Sequence, residues 1–159
     1  MAILGTKESR VVLVRVKHIL IATDGSELAA KALAQGLSLA NALAAQVTVV
    51  TVTEPWVTQV TGEAAFGFPS AEYDKAMTTS AAQILSKASE AANKEGLSCA
   101  TIHVKERHPT EGILETAKAK MCDLIVMASH GRRGLTRLLL GSQAQNVITH
   151  STIPVLICR

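Results

Sequence analysis

An α/β fold is what this sequence predicts: a single doubly wound, five-stranded parallel sheet in the order 3-2-1-4-5, with helices on both faces. Three observations carry that expectation. Short apolar runs alternate with longer segments of helical period along the chain, so the pattern reads βαβαβαβαβ. Aromatic residues make up only 3% of a chain that is 48% hydrophobic, so the interior must be built of Val, Ile, Leu and Ala, which suits helices packed closely on a sheet. The runs are joined by short connections, and strands made parallel in this way need crossovers, which are right-handed. A length of 159 residues fits one core, burying roughly 70% of the unfolded surface.

Residues 1–16 read as a loose N-terminal arm and residues 17–159 as the folded domain. The first strand is expected from Lys17 to Thr23, where His18 to Ala22 form the near-continuous apolar run of a strand covered on both faces. Asp24 and Gly25 end it, and Ser26 can cap a helix whose stripe is Ala29, Leu33, Leu37, Ala40 and Ala44. Val47 to Val52 is a β-branched second strand, stopped by Glu54 and Pro55. From Trp56 to Ser70, with Gly62, Gly67 and Pro69, no period is visible and a loop is expected. A long helix follows on Met77, Ala81, Leu85, Ala88 and Ala92, and Asn93 to Gly96 stop it. Cys99 to Val104 is the third strand; His108 and Pro109 open a helix carrying Ile113, Leu114 and Ala117. Leu124 to Ala128 is the fourth strand, Ser142 caps a last helix through Val147 and Ile148, and Pro154 introduces the fifth strand, Val155 to Cys158.

Several function classes are disfavoured. A net charge of +3, with basic residues scattered except at Arg132, Arg133 and Arg137, does not make a nucleic-acid groove. That cluster either holds phosphates, with Arg132 and Arg133 as the candidates, or is a solvated face, the reading favoured for any single arginine there. Cys99, Cys122 and Cys158 are odd in number and far apart, so neither a disulfide framework nor a zinc site is indicated and a reducing cytoplasm is expected. No run approaches the roughly 20 apolar residues that span a bilayer, and Arg15, Lys17 and His18 interrupt the first apolar segment, so neither a membrane helix nor a signal peptide is expected. The five histidines share no metal-ligand spacing. The third strand ends in Lys105, Glu106 and Arg107, where a receiver domain needs a phosphoacceptor aspartate.

Sheets of this kind bind ligands where strand order reverses, at the carboxyl ends of neighbouring strands. Asp24, Val52 and Ala128 to Gly131 occupy those ends. Asp24 either caps the helix behind it or offers its carboxylate to a ribose hydroxyl or a phosphate-bound cation, and position alone weighs the two equally. The run DLIVMASHGRRGLTRLLLGS, Asp123 to Ser142, joins a strand through glycines to a helix N-terminus, an arrangement that lets backbone amides approach a phosphate. Ordinary loop glycines and a serine cap would look the same.

These residues also carry a family resemblance. The strand ending Ala22, Thr23, Asp24, Gly25, Ser26, the loop Ser129, His130, Gly131, nine residues, Gly141, Ser142, and the closing Pro154, Val155, Leu156 resemble the ATP-binding branch of the universal stress protein family, over nearly all of Lys17 to Arg159. That branch has Gly, two residues, Gly, nine residues, Gly and then Ser or Thr. Here Ala128 stands at the first position, and the other three match. The resemblance implies that Asp24 contacts ribose, that the backbone near Val52 meets adenine, and that Met127 borders the nucleoside, with Ala22 and Ala128 also among the nucleotide-binding residues. Gly131, Gly141, Ser142 and Gln143 would then surround the phosphates. A left-handed backbone at Ala128 would cost roughly 1–2 kcal/mol, whereas mere close approach tolerates a methyl, so weakened ATP binding is expected.

The resulting expectation is a cytoplasmic stress-response regulator that binds ATP, with Mg as its companion ion, or a related adenine nucleotide. No catalytic residue is assigned: no nucleophile with an adjacent base and no Walker lysine are seen, so at most weak ATP hydrolysis is expected. The alternatives are a slow ATP hydrolase and a dimeric interaction module without nucleotide. An apolar last strand at the sheet edge invites pairing with a second copy, and the resemblance implies the same homodimer.

Overall fold

The computed structural model describes residues 15–56, 70–131 and 140–159. Most of the arm, the stretch holding Gly62, Phe66, Gly67, Phe68 and Pro69, and the cluster Arg132, Arg133 and Arg137 lie outside the described residues. Five strands, β1 (His18–Ala22), β2 (Gln46–Val52), β3 (Cys99–Val104), β4 (Leu124–Ala128) and β5 (Val155–Cys158), alternate with helices α1 (Glu27–Leu43), α2 (Ser70–Lys94), α3 (Pro109–Ala119) and α4 (Ser142–His150). The strands form one sheet in the order β3-β2-β1-β4-β5, every pair parallel.

Because side chains alternate across a strand, the apolar runs supply two cores. On one face Ile19, Ile21, Val47, Val49 and Val126 pack with Leu33 and Leu37 of α1 and Leu85 of α2. On the other, Leu20, Val50, Ile125 and Met127 pack with Ile113 of α3 and Val147 of α4. Val16 already packs on the first of these cores, and Asp123 Oδ2 accepts from the Lys17 and His18 amides at 2.7 and 3.0 Å. Burial pushes the neighbouring Cys122 thiol up to about 11, with Asp123 adding to the effect, so the thiol stays protonated at neutral pH. No helix among the described residues is long and apolar enough to cross a membrane.

Four expectations are corrected. β1 is one residue shorter at each end: Lys17 O accepts from Gln46 N–H and Thr23 N–H donates to Val50 O, both of β2, but the paired register runs only from His18 to Ala22. Ala44 does not continue the α1 stripe: it is the exposed C-cap in the left-handed region, with φ 52°, and the buried position is Ala45. Ser142 is the first residue of α4, and Gly141, with φ −63° and ψ 151°, is its N-cap. Met77, read as core, is only half-buried.

Candidate functional site

The chain turns out of β1 through two local hydrogen bonds. Gly25 N–H donates to Thr23 Oγ1 at 3.2 Å and Ser26 N–H to Asp24 Oδ1 at 2.9 Å. Ser26 is the α1 cap, its Oγ accepting from Ala29 N–H at 3.2 Å. The capping alternative for Asp24 therefore falls to its neighbour, and the half-buried Asp24 carboxylate is held at the carboxyl end of β1.

The second half of the site comes from β4. Ser129 N–H continues the ladder to Cys158 O at 2.8 Å, and Gly141 N–H returns to Ser129 O at 2.9 Å, closing the base of the glycine loop. A Cβ on Gly141 would lie 2.9 Å from that same carbonyl, so a backbone atom forbids any larger residue. A Cβ on Gly131 would lie 2.6 Å from Asp24 Oδ2. The aspartate of β1 and the second motif glycine after β4 thus meet across the point where strand order reverses, although 107 positions apart by their numbers, 131 and 24.

All nine residues expected at the site line one cleft of about 520 Å³ over the carboxyl ends of β1, β2 and β4. Ala22 and Asp24 bring β1 to it, Val52 brings β2, Met127, Ala128 and Gly131 bring β4, and Gly141, Ser142 and Gln143 bring the start of α4. Ala128 ends β4 opposite Cys158, lies outside the left-handed region and contributes to the core on the α1 side. The left-handed penalty weighed for it does not arise. The volume falls in the range of roughly 300–1,000 Å³ usual for small-molecule sites.

Sequence reasoning missed one wall. Thr53 and Glu54 beyond β2, and Tyr73, Met77, Ser80 and Ile84 of α2, also line the cleft. Tyr73 Oη donates to Glu54 O at 3.1 Å and its ring lies 5.2 Å from that of Trp56, tilted by 54°. Nearby, Thr53 Oγ1 lies 3.0 Å from His103 Nε2, and burial, then the Lys105 charge, hold that histidine below its ordinary pKa. Only the placement of α2 over β2 and β3 reveals this wall; Tyr73, the single tyrosine four residues before Met77, was the available signal.

The chemistry of the cleft is divided. The first-turn amides of α4 have no intrahelical acceptor and carry the positive end of the helix dipole, so one end suits an anion. Val52, Met77, Ile84 and Met127 give the cleft an apolar flank, and Asp24 gives it a carboxylate. Ser129 Oγ lies 3.1 Å from His130 Nδ1, a hydroxyl and imidazole pair that the sequence reading did not foresee. Among the described residues no three His, Cys, Asp or Glu side chains group as a metal site.

Comparison with known proteins agrees with this architecture. The model of the universal stress protein family matches residues 15–159. Universal stress protein YxiE of Bacillus subtilis is 34% identical over 145 residues, covering 89% of this chain and 97% of its own. The solved structure of hypothetical protein MJ0577 of Methanocaldococcus jannaschii has a TM-score of 0.73 at 29% identity, over 91% of this chain and 96% of that one. A universal stress protein of Archaeoglobus fulgidus, solved in complex with dAMP, shares the fold with a TM-score of 0.65 at 20% identity, over 92% of this chain and 100% of that one.

Proposed function

This chain belongs to the universal stress protein family, and from that premise we propose that it is a cytoplasmic stress-response regulator whose cleft binds an adenine nucleotide, ATP foremost. One observation carries the reading: Gly131 lacks a Cβ at the place where the Asp24 carboxylate lies, 2.6 Å from where that atom would be. A carboxylate and a chain of main-chain donors are thereby held at one switch point, as a ribose and its phosphates require. The dAMP complex of the Archaeoglobus protein supports the same class of ligand.

In this reading Asp24 accepts from a ribose hydroxyl, the apolar flank around Val52 and Met127 takes adenine, and the amides of Gly131, Ser142 and Gln143 meet the phosphates. A Mg²⁺ ion accompanying ATP would take its oxygens from the phosphates and water, and Asp24 would be the carboxylate to approach it, in keeping with the way Mg²⁺ is commonly held. Ala128 presents a methyl without backbone strain, so it lowers affinity only through the closeness of its approach.

Heat-denaturing the freshly purified protein and identifying the released nucleotide tests the proposal. Released ATP supports binding, and Asp24→Ala should abolish its retention. Protein that releases nothing, and takes up no added adenine nucleotide, would leave the interaction module as the function. The Ser129–His130 contact favours one second reading, slow hydrolysis: ADP would be released, and His130→Ala would suppress phosphate production.

A further inference from the structure

We propose that the Gln143 side-chain amide is a fixed hydrogen-bond donor to a phosphate oxygen of the bound nucleotide, and that Thr110 is the positioning residue that fixes it. This rests on the nucleotide reading above. Helix α3 begins without a conventional cap: His108 is its N-cap but makes no side-chain hydrogen bond to the first turn, and Pro109 has no N–H to satisfy. The next amide, Thr110 N–H, is left to find an acceptor. It finds Gln143 Oε1 at 3.2 Å, and Thr110 Oγ1 donates to the same oxygen at 2.7 Å, from 33 residues away.

That pair of bonds settles which way the carboxamide faces. A backbone N–H can only donate, so the Gln143 atom opposite Thr110 is the oxygen, and Nε2 with its two N–H groups is on the other side of the group. Nε2 has no hydrogen-bond partner among the described residues. Gln143 lines the cleft beside Ser142, on the first turn of α4, where the main-chain amides are also donors. Its only acceptor atom is spent on Thr110. The side chain therefore offers the cleft donors alone, and beside the main-chain donors and positive dipole end of the α4 first turn the ligand group that matches them is an acceptor-only anion, a phosphate.

Gln143→Glu separates holding from donating. The carboxylate still accepts both Thr110 bonds, and its charge suits the α3 N-terminus, so the thermal midpoint should stay or rise. It has no donor and adds a negative charge beside the phosphates. ATP affinity should fall about tenfold or more while adenosine affinity stays unchanged. Thr110→Val, which keeps the amide bond and loses the hydroxyl bond, should show a smaller loss specific to ATP, restored by Thr110→Ser. Unchanged ATP affinity in Gln143→Glu overturns the proposal, and an equal loss for adenosine overturns the phosphate assignment. In ¹⁵N spectra of the wild-type protein, inorganic tripolyphosphate should move the Gln143 side-chain amide resonances, and resonances that stay still overturn the proposal. If they move while no adenine nucleotide binds, the nucleotide reading fails and the Gln143 anion contact stands.

Discussion

Ala128 and Gly131 lie three positions apart on one wall of the cleft, and only one of them could carry the other's side chain. Ala128 is extended strand, its methyl part of the core, whereas a methyl on Gly131 meets the carboxylate that Ser26 N–H holds in place. Gly131→Ala should therefore displace Asp24 rather than unfold the protein: a thermal midpoint close to wild type, and ATP affinity lowered roughly tenfold to a hundredfold, the worth of a charge-assisted hydrogen bond. Ala128→Gly should do the reverse, changing affinity less than about threefold while costing about 1 kcal/mol of stability from glycine's added freedom in a strand. Calorimetric titration beside thermal melts checks both. The sequence could name these residues because glycine, aspartate and their spacing are local signals. It could not say that Ala128 avoids the left-handed region, because backbone geometry at a strand end is decided by the ladder partner, here Cys158.

Among the elements, two serines that look alike in the sequence do different work. Ser26 accepts from Ala29 N–H and caps α1, while Ser142, exposed and inside the first turn of α4, caps nothing. Ser26→Ala should cost about 1 kcal/mol in a denaturant titration. Ser142→Ala should leave the midpoint within about 0.5 kcal/mol of wild type, as surface substitutions do, and lower ATP affinity instead. Strands were legible because a strand covered on both faces is an uninterrupted apolar run, as in the fully buried β4; the edge strands β3 and β5, only partly buried, also have the bounds expected from their short runs. Helix ends were less so. The α4 cap depends on Gly141 folding back onto Ser129, and the α3 first turn is satisfied from α4; neither contact is local in sequence.

For the whole molecule, the alternation of elements and the choice of Ala, Val, Ile and Leu over aromatics pointed to a parallel sheet covered on both faces, and the observed order matches the expected 3-2-1-4-5. The missing wall of the cleft, Tyr73 to Ile84, was illegible for a physical reason: periodicity tells which face of α2 is apolar, not which strand ends its first turns overlook. The sheet also ends in β5, an apolar edge whose Leu156 is 39% exposed. We expect two copies to pair along it, so light scattering should give twice the chain mass of 16.8 kDa, and Leu156→Lys should return the mass of one chain. A wild-type mass of one chain would refute the pairing. The central claim, that Asp24 and the glycine loop form one adenine-nucleotide site, is tested most directly by equilibrium dialysis of the wild-type protein against ATP. Saturable binding of one ATP per chain, lost in Asp24→Ala, is the result expected; no ATP bound at millimolar concentration would contradict it.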